Sequence, residues 1–548
     1  MQIPARKIKF RDPTTGEIRE TLLLSEGRVD EAVEEYLDAH PEKTTTVEDG
    51  SIEKNKLAGT LIGILQTEKD TVEVSSQELT GKAYRNIKIV YSPTLTIGDD
   101  CHFHDCDFVC DTFSSGTTTA ILITGKNALF EGCTFTGVNG STTQIKQEKT
   151  AFNTKFVNCS FDGTFKNPLN LGSTNNNLVS GCYFAPLTGN DSNIYQLKLS
   201  YAGPIDDESY AGTGKTIVTG CYFDGLIDDP HTAIDCYCGG HDLIITSCVF
   251  RQNSGVTIKT DWRDLTSEEE AGSNINYVRY SRNINVRDCL FVESKRICYI
   301  ANTQYSETNI GVTVPNNIVF SGCMIVDAEE YAFVSGDNIP TSELSTVIIS
   351  DCHFYESAFG RIASKDLIID GCSIVVTKDV SSVGTGFIRI GNTKNNCNSV
   401  TIKNCYVRNY NASNDMSAIY QVGAIKKVVI SNSDFDMGNT KGLITAINSA
   451  KPFNEIIVDN IKSSGAVYSS SPTAQADITV IRNSYFKRYA LTRPSSSTGY
   501  GSNLVYILNC ISVEVSSITQ SATGWTESDH VFNSFALNGA IDWDFSQS

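Results

Sequence analysis

An all-β solenoid, a right-handed parallel β-helix led by a small N-terminal α+β region, is the fold this sequence predicts, and three observations predict it. One phrase recurs along the chain: apolar residues five and three positions ahead of a cysteine, then Cys-x-Phe. The residue just before that cysteine is always Gly, Asn, Asp or Ser. Successive phrases are mostly 20–29 residues apart, a period that belongs to stacked repeats.

The phrase occurs 14 times, at Cys106, Cys133, Cys159, Cys182, Cys221, Cys248, Cys289, Cys323, Cys352, Cys372, Cys405 and Cys510, with Ser433 and Ser484 in the same place twice. Within one strand, inward residues repeat every two positions. The offset of three across the break therefore marks a corner between two short strands. Gly, Asn and Asp suit such a corner because they adopt left-handed backbone angles at little steric cost. One corner type repeated in one frame means coils stacked about 4.8 Å apart. The cysteines then form an internal ladder of small apolar thiols, with a phenylalanine ladder beside it. A disulfide ladder is the rival reading. The serines at 433 and 484, and the absence of a Sec-type leader in the first ten residues, favour thiols. The long gap between Ser433 and Ser484 is read as two coils, with Asp459-Asn-Ile461 as a degraded corner.

Composition narrows function. The 548 residues carry 44 Lys+Arg against 63 Asp+Glu, a net charge of −19. Nucleic acids and anionic membranes draw binding energy from basic residues, so neither is expected as a partner. No apolar run reaches the roughly 20 residues of a membrane span, so no membrane insertion is expected either.

The ends are organised differently. Lys7–Leu24 reads as a hairpin turning at Asp12-Pro-Thr-Thr-Gly16, and residues 27–40 have helical spacing with Pro41 as a stop. The boundaries expected are 1–60 for an adaptor and linker, 61–83 for a lead-in, 84–513 for the coils and 514–548 for a cap or oligomerising tail. The phrase Val47-Glu-Asp-Gly-Ser-Ile52 followed by Lys56-Leu-Ala58 resembles segments near the N-termini of phage tail-fibre and tailspike proteins. That resemblance implies attachment to a phage tail or baseplate, a homotrimer, and a protein made in the bacterial cytoplasm that acts at the host surface.

Insertions in a solenoid map to loops, often on one face. The two largest, about 185–215 and 251–282, read as leaving the corner just after Cys-x-Phe, one coil either side of an insertion-free coil. Such a pair makes a groove suited to an extended polymer. Its floor holds Asp228, Asp229, His231 and Asp235, and the next coil adds Lys259, Asp261 and Arg263 at alternate positions. Two carboxylates flanking a glycosidic bond can hydrolyse it, so Asp228, Asp229, Asp235 and Asp261 are the catalytic candidates. His231, Lys259, Trp262 and Arg263 are the substrate-binding candidates, Trp262 by stacking on a sugar ring. The aspartates have a bland alternative, because Asp and Asn also bend and cap turns, and Trp262 has one as an anchor packing its loop onto the rod. Cys236, Cys238, His231 and His241 are a conceivable zinc set, but strand alternation already explains the thiols as buried, and no metal or cofactor is assigned.

Gly255-Val-Thr-Ile-Lys-Thr260 followed by Gly272-Ser-Asn-Ile-Asn-Tyr277 resembles polygalacturonase-type β-helix enzymes of the pectate-lyase-like kind. The resemblance implies a substrate-binding role for Lys259. The family's paired aspartates are replaced here by Gln252-Asn-Ser254, and its active-site arginine by Thr257. Three functions are therefore expected in competition: a tailspike that depolymerises a bacterial surface polysaccharide by hydrolysis or by uronate elimination, a fibre that holds host glycans uncut, or a cellular pectin-type enzyme.

Overall fold

In the computed structural model the described residues are 7–11 and 18–22, most of 69–512, and the short strands 531–532 and 535–536. The longer segments outside the description are 201–214, 261–281, 303–315, 336–345, 465–475 and 487–503. The chain divides into two compact units, Met1–Lys69 and Asp70–Ser548. In the first, Lys7–Arg11 pairs antiparallel with Ile18–Leu22, the expected hairpin. The expected helix over 27–40 lies outside the described residues.

The second unit is a parallel β-helix. Most coils have three strands, and each strand pairs in parallel with its counterpart in the next coil. In the middle of the unit the first strands are Ile217–Thr219, Ile244–Thr246 and Arg282–Arg287. The second are Tyr222–Asp224, Val249–Arg251 and Leu290–Val292. The third are Thr232–Tyr237, Val256–Thr260 and Cys298–Asn302, part of a ladder of 14 strands. Parallel pairing already begins at Asp70–Ser75 and recurs at Val531–Phe532 and Phe535–Ala536. No helix among the described residues is long and apolar enough to cross a membrane.

The predicted corners carry the bend. All fourteen residues before the anchor have positive φ, from Asp105 at 52° to Asn509 at 54°, and the degraded corner does too, with Asn460 at 51°. Corner side chains on neighbouring coils bond to one another, as in Asn460 Nδ2 to Asn432 Oδ1 at 2.9 Å and Asn509 Nδ2 to Asn483 Oδ1 at 3.1 Å. The corner backbone amides bond to the next coil as well, as Asn483 N to Leu508 O at 2.9 Å.

Inside, the anchors stack as predicted. The described cysteines are all buried and in no disulfide. Most anchor thiols donate to a backbone carbonyl of the preceding coil, as Cys159 to Phe130 O at 3.4 Å and Cys221 to Val179 O at 3.5 Å. The anchor thiols also reach the carbonyl two residues back, as Cys159 to Val157 O at 3.5 Å, and Ser433 and Ser484 make that same bond at 2.7 and 2.6 Å. This is why a hydroxyl substitutes for the thiol. The phenylalanines two positions on form an offset stack, Phe184–Phe223–Phe250–Phe291, with centroids 4.7, 5.0 and 4.5 Å apart.

One expectation needs correcting. Most of the extra length does not leave the corner after Cys-x-Phe. That corner is followed by the third strand, Tyr195–Ser200 in one coil and Val256–Thr260 in the other, and the added residues 201–214 and 261–281 come after it. A third strand must complete the coil to close the sheet, so the larger additions fall in the connection to the next coil.

Candidate functional site

Each sheet of the solenoid carries outward rows of side chains, and their chemistry differs. On the first sheet one row is Leu178, Ile217, Ile244, Asn285, Val319, Ile348 and Ile368 in successive coils, nearly all aliphatic, and the row two residues on is Ser180, Thr219, Thr246, Arg287, Ser321, Ser350 and Asp370. On the second, mid-solenoid, one row is Tyr183, Tyr222, Val249, Leu290 and Met324. On the third sheet, successive coils present Asn170, Lys198, Asp235, Thr257, Tyr299, Val334, Arg361, Arg389 and Tyr420. This row combines charge, hydroxyls and aromatic rings. Local alternation puts them outside: Leu197 and Leu199 flank Lys198, Ile234 and Cys236 flank Asp235, and Val256 and Ile258 flank Thr257, and all six flanking residues are buried. Burial pushes the Cys236 thiol well above the ordinary cysteine range, so this inward sulfur stays protonated.

The structure places the predicted residues unevenly. Asp235 is on the outward row between Lys198 and Thr257 yet has 0% exposure. Opposite charges at adjacent rungs attract, which suits Lys198 beside Asp235. His231 is also buried, and its carbonyl accepts the Ser254 amide at 2.7 Å. Asp228 is exposed in a turn after Leu226 and Ile227, themselves 43% and 53% exposed. Lys259 lies in the third strand, in register with Tyr237 and Ala301. Asp229, Asp261, Trp262 and Arg263 lie outside the described residues, as do Cys238 and His241 of the conceivable zinc set.

Sequence reasoning missed Lys198, Tyr299, Arg361, Arg389 and Tyr420. Lys198 reaches Tyr195, with Nζ 3.4 Å from the hydroxyl and 5.1 Å from the ring centroid. A signal for these positions exists. Every third strand carries a triplet of two inward residues around one outward residue: Leu197-Lys-Leu199, Cys298-Tyr-Ile300, Gly360-Arg-Ile362, Ile388-Arg-Ile390. The triplet has no invariant anchor such as Cys-x-Phe, and its distance from that anchor varies.

Chemically, the row offers hydrogen-bond donors and acceptors for hydroxyls, flat rings for the apolar face of a pyranose, and cations for acidic groups. Asp235 is its one carboxylate among the coils just described.

No family model matches the chain, and no curated protein does. Among solved structures, the chain is similar to the tailspike protein of the E. coli bacteriophage HK620 in complex with a pentasaccharide. The identity is 13% over 97% of this chain and 84% of that one, with a TM-score of 0.33. It is also similar to the Agl-KA catalytic domain, at 11% identity over 67% of this chain and 59% of that one, with a TM-score of 0.30.

Proposed function

We propose that this chain is a phage tailspike that binds a bacterial surface polysaccharide along its third sheet. The observation that carries the reading is the make-up of the third-sheet row. A solenoid face bearing Lys198, Asp235, Thr257 and Tyr299 at successive rungs matches an extended chain of hydroxyl-rich rings. The N-terminal phrase at 47–58 supports attachment to a phage tail or baseplate through residues 1–60. Action at the host surface follows from that placement.

Cleavage is the finer part of the proposal, with Asp228, Asp229, Asp235 and Asp261 as the acid and base, and His231, Lys259, Trp262 and Arg263 holding substrate. The test is release of reducing ends from host capsule or O-antigen, with ultraviolet absorbance of an unsaturated product separating elimination from hydrolysis. Alanine at a true catalytic carboxylate is expected to lower turnover by about 10²–10⁴-fold. Unchanged clearing by all four variants would place the chemistry elsewhere. The complete burial of Asp235 favours the second reading, a fibre that holds glycans uncut. That reading expects full binding with no reducing ends released.

The aliphatic first-sheet row supports the trimer. Side chains such as Ile348 and Ile368 are only half-buried in the single chain, and a second copy laid against them would remove that surface from water. Ile348→Glu is expected to shift the light-scattering mass from trimer to monomer while the far-ultraviolet spectrum stays that of sheet. A trimer that survives both Ile348→Glu and Ile368→Glu would move the subunit contact to another face.

A further inference from the structure

Farther along the third sheet, two arginines share a register. Arg361 and Arg389 are direct partners on adjacent coils, Tyr420 follows Arg389 on the next coil, and Val334 precedes Arg361. Like charges directly opposite on neighbouring strands are destabilising, and guanidinium groups do not escape by losing a proton. Burial first, and then the Arg389 charge, hold Arg361 below the ordinary guanidinium range. The Nε–H of Arg389 is shut away from solvent with no acceptor among the described residues. Nor does any carboxylate among them come within ion-pair distance of Arg389. The nearby Glu330 is engaged by Lys295 at 3.7 Å and Arg296 at 3.9 Å.

Aromatic groups wall this pair. The Arg389 guanidinium carbon lies 5.7 Å from the centroid of the Tyr420 ring. Tyr331 is 6% exposed, stands beside Arg389 and donates its hydroxyl hydrogen to Gly386 O at 3.0 Å. Gly386 is required for that packing, because a Cβ there would come 2.3 Å from Tyr420 Cβ. Two guanidinium side chains on strands about 4.8 Å apart, beside ring faces, suit one planar anion attached to a ring. Guanidinium binds carboxylate through two parallel N–H···O bonds.

We propose that Arg361 and Arg389, walled by Tyr331 and Tyr420, bind the carboxylate of an acidic sugar unit in the polysaccharide. The inference rests on the reading that the third sheet is the glycan-binding face, and it narrows that reading to carboxylated polymers.

Calorimetric titration of the full chain tests it. The probes are sized oligomers of polygalacturonate, hyaluronate and polysialate, the carboxyl-reduced partner of each, neutral dextran, and dextran sulfate of similar length. At least one carboxylated oligomer is expected to bind tenfold or more tightly than its reduced partner and than dextran sulfate. Arg361→Gln and Arg389→Gln should each erase that preference. Arg389→Lys, which keeps the charge without the fork, should fall between, and it serves if glutamine disturbs folding. Lys427→Gln, which removes a first-sheet charge paired with Glu455 at 2.8 Å, should change nothing. Equal binding of carboxylated and reduced forms overturns the proposal, as does an unaltered preference in the arginine variants. Equal binding of dextran sulfate overturns it in favour of a general polyanion surface. Binding of neutral oligomers alone overturns it and leaves the glycan-binding face standing. Failure to bind any glycan, host polysaccharide included, overturns both.

Discussion

Phe223→Ala is expected to lower stability by about 4 kcal/mol, within the range of roughly 3–5 kcal/mol for an aromatic side chain removed from a packed core. The side chain has 0% exposure and stacks on Phe184 at 4.7 Å and Phe250 at 5.0 Å. Its backbone is held in register on both sides by strand pairing, so the coils cannot close over the void, and the cavity persists. In a solenoid each coil contacts only its neighbours, so the loss is expected to be local. Hydrogen exchange should show faster opening of the coils that contain Phe184, Phe223 and Phe250, with the coils beyond Phe354 unchanged. Uniform loss of protection along the whole unit would mean that the coils fold as one cooperative block. Ile325 occupies the corresponding position and ends that stack, so an aliphatic residue is tolerated where its neighbours are shaped for it.

Asp434→Ala is expected to cost about 3–5 kcal/mol, the range for breaking a buried ion pair by removing one partner. Arg408 has only 1% exposure on the outward side of the second sheet. Its Nη2 lies 2.7 Å from Asp434 Oδ2, its Nη1 donates to Val407 O at 3.0 Å, and its guanidinium lies 3.6 Å from the Tyr406 ring centroid. Taking the carboxylate away leaves the cation buried without its closest opposite charge. Arg408→Met, which removes the charge and keeps the volume, is expected to be far milder, because a buried pair gains little over well-packed apolar groups. Thermal unfolding of the two variants decides it. If Arg408→Met destabilised as much as Asp434→Ala, packing of the guanidinium on Tyr406 would outweigh the ion pair.

The features read correctly from sequence share a property: their signals lie within eight residues of one another. Corner residue, anchor thiol, following phenylalanine and preceding apolar pair form one local phrase, and the backbone angle at the corner depends only on side chains present there. Even the degraded corner at Asn460 was legible, because Asn keeps that angle when Cys and Phe are gone. The candidate site was legible only in part. Asp235 could be assigned to the outward parity of its strand, but neither its burial nor its neighbour Lys198 could, since these depend on what the adjoining coils lay against it. The position of the insertions was misjudged for a related reason. The third strand has no anchor phrase, so Tyr195–Ser200 read as part of a loop.

Sequence alone determined the coil, its corners and its internal ladders, because those arise from backbone preference and inward parity over a few residues. Only the tertiary structure decided which outward residues stand side by side. Lys198 meets Asp235, and Arg361 meets Arg389, across one ladder spacing. Yet each pair is separated along the chain by a whole coil, whose length varies with its loops. Register between coils is set by hydrogen bonding and core packing around the full turn, and that turns single-strand chemistry into a continuous face.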